Sequence, residues 1–353
     1  MNNRIDQLDA IRGLASFTVV LHHLYLVIPM LPLLLKYSPL RVLVNGHAPV
    51  ILFFVLSGFV LALPYWNGTS GTYRTFMTRR FFRIYVPYII SIAVAVISDA
   101  MFASGSIPGI IAWQSGISIR LLVEHIVFLY IPDTQAFNNV IWSLVHEMRI
   151  SLIFPIIVFC VQRFSWRMNL LLCLLLSIPN ASRGFLAYPD TFASAIETMH
   201  YAAMFIIGAL IANNRERLIS AYRNWRQLSK WSILLLAFFL YSYSTVINTI
   251  FLDLGLPNEF VVSDYAAAAA SCVMIVYALG SAKMAKVLLS KPLLFLGKIS
   301  YSLYLYHIIV LFSMAYLFYG KIPNYLIYAS TILLSLIVAA FSWKYVERPS
   351  IAL

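Results

Sequence analysis

Apolar stretches of about twenty residues, nearly free of charge, follow one another along this whole chain. Such a segment is long enough for a helix to cross a hydrocarbon layer. Barrel strands would instead be about ten residues long and alternate in polarity. Ten candidate spans are placed at 8–28, 47–63, 82–101, 139–161, 168–180, 198–213, 231–250, 263–281, 299–319 and 325–344. The chain is 61% hydrophobic and 11% charged, against about 25% charged for a soluble globule. The reading is an all-α integral membrane protein of about ten transmembrane helices. Ten spans consume roughly 200 residues, so 1–353 is expected to be one transmembrane domain with no appended soluble domain.

The formal net charge of +12 raises the question of a polyanionic partner, and its distribution answers it. With the N-terminus in the cytoplasm, nineteen of the 25 Lys and Arg fall on the inner side and five outside, with Arg149 inside a span. Of the 13 acids, eight fall outside and four inside, with Glu147 inside a span. This is the positive-inside pattern with an even span count. Both termini are therefore expected in the cytoplasm, the chain in the cell (inner) membrane, and nucleic acid is not an expected partner. Asp6 and Asp9 occupy what would be the basic region of a signal peptide, so segment one is expected to be a retained anchor. Cys160, Cys173 and Cys272 lie in apolar runs without ligand spacing and imply neither disulfide nor metal. The longest outer loop, 102–137, carries Arg120, Glu124 and His125 on an apolar background and suits an interfacial position.

Polar side chains inside the membrane are costly and are the functional candidates. In segment one, Arg12 and His23 are eleven residues apart. On a helix that is about three turns, roughly 16 Å of rise and about 20° of drift, so they share a face. Asp9 lies one turn from Arg12 and can pair with it. The plain alternative is that the two histidines only mark the outer end of the span, and His22, about 100° from His23, is read that way. Segment two holds Phe53-Phe54-Val55-Leu56-Ser57-Gly58-Phe59, where Ser57 and Gly58 permit close helix approach. Arg80 and Arg83, one turn apart at the inner edge, read as anchors or as a clamp for phosphate.

Segment four reads Trp142-Ser143-Leu144-Val145-His146-Glu147-Met148-Arg149. Ser143 and Glu147 face together, and Trp142 and His146 form another stripe. Glu147 and Arg149 are about 200° apart and cannot easily meet. A carboxylate here needs a proton, a cation or a histidine. In segment nine, Ser300, Tyr304 and His307 form one polar stripe, read as helix–helix glue or as a site. Near the end, Glu347-Arg348-Pro349 reads as an acid and a base at a helix stop.

Seven motifs, in order, carry a resemblance. They are the Leu8-Asp9 to Arg12-Gly13 opening, the Arg12–His23 spacing, Phe53-Phe54 to Phe59, Arg80 to Pro87, Trp142 to Glu147, Ser300 to His307, and Glu347-Arg348-Pro349. Together they resemble the membrane-bound acyltransferase-3 family over nearly the whole chain. The resemblance implies about ten transmembrane helices. It also implies transfer of an acyl group, most often acetyl, from cytoplasmic acyl-CoA to a hydroxyl of a surface polysaccharide or its lipid-linked sugar precursor. Carried over by position, the family's arginine–histidine pair is Arg12 and His23, its arginine pair Arg80 and Arg83, and its acid Glu147. The chain departs from the usual pattern at Ala10 and Ile11 and at Ile150 and Ser151.

The resulting expectations are these. His23 deprotonates the acceptor hydroxyl or briefly carries the acyl group, and Glu147 orients it. Arg12, Arg80 and Arg83 hold acetyl-CoA as co-substrate. Asp9, Ser57, Trp142, Ser143, Tyr304 and His307 line the pocket, and no metal takes part. The competing class is a proton-coupled transporter of a small solute or polysaccharide precursor, for which buried Glu and His also serve. No paired halves with matching interrupted segments favour it. A third class, a scaffold in a polysaccharide-synthesis complex, predicts that Glu147→Gln leaves function intact.

Overall fold

The structure, a computed structural model, describes residues 5–28, 32–105, 107, 110, 112–114, 116–129, 133–184, 186, 189–255 and 260–352. Among these there is no strand. The principal helices are α1 (Asp6–Val27), α2 (His47–Trp66), α3 (Tyr73–Phe102), α4 (Ile119–Val127), α5 (Trp142–Arg163), α6 (Trp166–Ala181), α7 (Asp190–Asn213), α8 (Gln227–Ser242), α9 (Ser244–Asp253), α10 (Val261–Gly280), α11 (Lys291–Phe318) and α12 (Asn324–Ser342). Eight helices are long and apolar enough to cross a membrane; α8 and α9, bent by 58°, make a ninth if counted as one span. The segment read as 168–180 is α6, a helix of only 16 residues. The chain is thus an all-α, multi-pass membrane protein.

Exposed Leu, Ile and Phe cover much of the outer surface of these helices, as lipid-facing helices require. With no water to expel from the interior of a bilayer, packing depends on close fit. Two crossings achieve it with glycine. Where α1 meets α11, a Cβ on Gly13 would lie 2.5 Å from the Gly297 nitrogen, and one on Gly297 would lie 2.6 Å from the Asp9 carbonyl. Where α2 meets α7, a Cβ on Gly58 would lie 2.2 Å from the Phe205 carbonyl, and one on Gly208 would lie 2.0 Å from that of Val55. Backbone touches backbone at both points, so no side chain can turn aside. Gly58→Val should destabilise the fold by about 3 kcal/mol or more, read as lost yield and a lower unfolding temperature in detergent. Wild-type stability would show that α2 and α7 are not packed this closely.

Two expectations need correction. The 102–137 stretch does not simply lie flat, because Ile110, Ala112, Trp113, Phe128 and Phe137 are buried in the helical body. The Trp113 indole donates to the Phe137 carbonyl at 3.0 Å, and Tyr316 donates to Ala112 at 3.0 Å. His125 on α4 is fully buried and bonds Leu121 O at 2.8 Å; burial holds it below the ordinary imidazole range. Nor is Glu347-Arg348-Pro349 a helix stop. A π-helical turn, Trp343–Glu347, carries α12 into a last helix, Arg348–Ala352. Pro349 follows the π-helical turn directly, where bonding to the fifth residue back, as from the Arg348 N–H to the Trp343 carbonyl, has replaced the α-helical pattern.

Candidate active site

A cavity of about 420 Å³ lies between α1, α2, α3, α5 and α11, a size suited to a small organic ligand. Along α2 its lining runs from Leu61 to Val50, roughly 16 Å at helical rise. Asp9, Arg12, Ser57, Arg80, Arg83, Ser143, Glu147 and Tyr304 all line it. The helical spacings explain why. Ser143 and Glu147 are one turn apart on α5, and Ser300 and Tyr304 are one turn apart on α11; each pair presents one face.

Cations gather at one end. Arg12 holds Asp9 at 3.4 Å. Arg80 is buried, and its Nη2 donates to Glu147 Oε1 at 2.7 Å while its Nε donates to Ser151 at 3.1 Å. Ser57 donates to the same Glu147 oxygen at 3.1 Å. Glu147 is therefore the partner of Arg80, and this corrects the expectation that it orients His23. Arg80 is equally committed, whereas Arg83 is exposed at the rim and has no hydrogen bond among the described residues. Lys298, also exposed, is a second cation in the lining. Arg149, as its spacing predicts, misses Glu147 and donates to Ser194 Oγ at 2.7 Å and Thr198 at 3.1 Å.

At the other end the lining closes on Ser143 and Tyr304, whose hydroxyls are 2.8 Å apart. Trp142 and His307, expected in the pocket wall, and His23, expected as the base, are not part of it. Trp142 lies behind Phe54, with ring centroids 6.5 Å apart. His307 lies behind Tyr304, at 6.2 Å. His23 and His307 instead face each other, Nδ1 to Nε2 at 3.1 Å.

Hydrogen-bond chemistry fixes the protons of this pair. His307 Nδ1 is 3.0 Å from the Leu303 carbonyl, which can only accept, so that nitrogen carries hydrogen and its Nε2 is the acceptor. His23 Nδ1 is 3.0 Å from the Val19 carbonyl and carries hydrogen for the same reason. It therefore donates to His307, and the bare nitrogen of His23 is Nε2. This is the arrangement of a base held by an orienting partner. His22 does not share it; its Nδ1 meets the Val44 carbonyl at 2.6 Å.

Sequence reasoning left several residues out of the site. Tyr301, Lys298, Trp343 and Glu347 also line the cavity, and Glu347 accepts from Ser302 at 2.7 Å. Lys298 sits directly before the polar stripe of α11, a usable signal. Trp343 and Glu347 arrive only through the π-helical turn, which local spacing does not announce.

A cavity with arginines at one end and paired hydroxyls at the other defines the class: a bundle of membrane-spanning helices with a polar, cation-mouthed ligand cavity. The comparisons narrow it. The chain belongs to the acyltransferase-3 family, whose model, described as Acyltransferase domain, matches residues 5–344. It is similar to O-acetyltransferase OatA of Staphylococcus aureus, 24% identical over 364 residues, 97% of this chain and 56% of that protein. It is also similar to acyltransferase MdmB of Streptomyces mycarofaciens, 32% identical over 120 residues, 33% of this chain and 30% of that protein. The chain thus spans about half the length of the Staphylococcus relative. No solved structure matches.

Proposed function

We propose that this protein transfers an acyl group, acetyl in the first instance, from cytoplasmic acyl-CoA to a hydroxyl of a surface polysaccharide or its lipid-linked sugar precursor. The observation that carries the reading is the cavity itself, which joins an arginine-lined mouth to a pair of hydroxyls, with His307 behind Tyr304 and His23 hydrogen-bonded to His307 in turn. The arginine end faces the cytoplasm and receives the nucleotide phosphates at Arg83, Lys298 and Arg12. The pantetheine arm lies along the cavity with the thioester carbonyl at Ser143 and Tyr304, whose hydroxyls turn from each other and from the Val140 carbonyl to stabilise the oxygen as it gains charge. The acceptor comes from the opposite side. Its O–H proton passes to His23 Nε2, its oxygen attacks the thioester carbon, and the C–S bond breaks. The CoA thiolate then takes up the proton. His307 shares the charge of the imidazolium formed between these steps. The names of the two relatives, an O-acetyltransferase and an acyltransferase, support the same reading.

The phosphate end has its own test. Arg83→Ala should weaken acetyl-CoA binding about tenfold, the scale of one charge-assisted contact. Binding of acetyl-pantetheine, which lacks the phosphates, should not change. Equal weakening for both ligands, or for neither, would remove Arg83 from the donor site.

A further inference from the structure

A second polar cluster lies outside the cavity, on α2, α7 and α10. His47 opens α2 and Asp264 lies in the first turn of α10. Asp264 Oδ1 accepts from His47 Nε2 at 2.6 Å, and its Oδ2 accepts from His200 Nε2 at 3.1 Å. His200 and Asp264 have no solvent-exposed side-chain area, whereas the His47 side chain is 20% exposed. His200 is closed off further by Ser177, 2.8 Å from its Nδ1. The cluster therefore opens at one atom group only, the outward edge of His47. Both imidazoles give their Nε2–H to one carboxylate. His47 is left with Nδ1, which makes no hydrogen bond among the described residues. No group of three such side chains among the described residues is arranged to hold a metal ion, so the cluster is a hydrogen-bonded one.

Its surroundings are aromatic. Trp142 lies nearly parallel to the His47 ring, at 6.5 Å and 10°. Phe260 lies on it at 5.1 Å. Phe260 is 41% exposed and holds φ +63°, a left-handed conformation that costs a bulky residue energy. The fold holds it there through Asn248, whose side chain accepts from the Phe260 N–H at 3.2 Å, and through Ser263, which donates to its carbonyl.

The cluster adjoins the reacting end of the cavity by two routes. Trp142 contacts Phe54 of the cavity wall. A Cβ on Gly46, the residue before His47, would lie 2.1 Å from the His22 ring, and His22 contacts His23 edge to face at 5.3 Å.

We propose that His47, aimed by Asp264 and flanked by Trp142 and Phe260, is the acceptor subsite of the transferase and takes a carbohydrate. A sugar ring offers both features that the subsite demands: an apolar face to lie on aromatic rings, and neighbouring hydroxyls to donate to a fixed nitrogen. With both imidazoles neutral, the Asp264 carboxylate leaves the cluster negative, so a neutral polyol fits better than an anion. Through Nδ1 His47 positions the acceptor, while the proton transferred in the reaction goes to His23. The inference rests on the transferase reading above.

His47→Gln provides the test, because the glutamine amide nitrogen reproduces Nε2–H toward Asp264 and removes the Nδ1 acceptor. Protein in liposomes receives labelled acetyl-CoA, with glycolipids extracted from its host membrane varied from limiting to saturating. The expected result is a KM for glycolipid raised about tenfold, with the KM for acetyl-CoA unchanged. Phe260→Gly should raise the glycolipid KM in the same direction. It removes the ring, and glycine accepts the backbone angle without strain, so it carries the test if the glutamine variant does not fold. An unchanged glycolipid KM, or a fall in kcat alone, would overturn the subsite and leave the transferase standing. If wild type labels no glycolipid, the transferase reading falls first and the subsite falls with it.

Discussion

Replacing His23 by alanine should lower acyl transfer by roughly a thousandfold, within the range a positioned general base contributes. Acetyl-CoA binding should survive, because the cavity lining ends at Ser143 and Tyr304 and does not include His23. His307→Ala should cost much less, about tenfold. His307 stabilises the charged form of His23, but the Val19 carbonyl still holds the Nδ1 proton and so the tautomer. Where a histidine loses its only orienting group the penalty is far larger. Transfer rate and donor affinity measured on the same liposomes separate these effects. Loss of donor binding together with transfer in His23→Ala would make His23 structural. Equal damage from the two variants would make the pair a single unit in which neither nitrogen is specially the base.

Glu147→Ala should destabilise the protein by about 3 kcal/mol and abolish transfer. Arg80 is buried against Glu147, Ser57 meets the same carboxylate oxygen, and Ser151 takes up the guanidinium Nε. Removing the acid leaves a buried cation without its counter-charge, and breaking a buried pair from one side typically costs about 3–5 kcal/mol. The lower end applies here because the Glu147 side chain is 18% exposed to the cavity. A paired replacement, Arg80→Met with Glu147→Leu, removes both charges and should recover most of the stability. It should not recover transfer, since the mouth loses the carboxylate that sits among Arg12 and Arg83 in the cavity lining. Unfolding in detergent reads the first effect and labelled transfer the second. Glu147→Ala as stable as wild type would show that Arg80 does not depend on the acid. The same variant with full transfer would return the chain to the scaffold class.

The fold was legible because membrane helices announce themselves one at a time. Length and polarity mark each span, and eight of them stand in the structure where the segments were placed. The face of each helix was legible too. Arg12 reaches the cavity from α1, and Ser143 and Glu147 reach it together from α5, as period 3.6 requires. Partners between helices were not legible. Arg80 and Glu147 are 67 residues apart, His47 and Asp264 are 217, and His23 and His307 are 284. Nothing local in one helix states which neighbour it meets, so Glu147 was assigned to the wrong partner. Asp264 shows the same limit differently. Read along the sequence it is one more acid on the outer side. Only the packing of α2, α7 and α10 reveals a carboxylate shared by two histidines. The contacts of Gly58 and Gly208 set the α2–α7 part of that packing, as those of Gly13 and Gly297 set the crossing of α1 and α11. Of these, Gly58 alone could be anticipated, from the Ser57-Gly58 break in an apolar run.

The central claim is transfer of an acyl group from acyl-CoA to a glycan hydroxyl. Its most direct test supplies isotope-labelled acetyl-CoA to membranes that carry this protein and their own glycolipids, beside membranes without it. The account predicts label in the glycan fraction, released by mild alkali as an ester must be, and only where the protein is present. Glycans equally unlabelled in both membranes, with acetyl-CoA bound but never consumed, would contradict it.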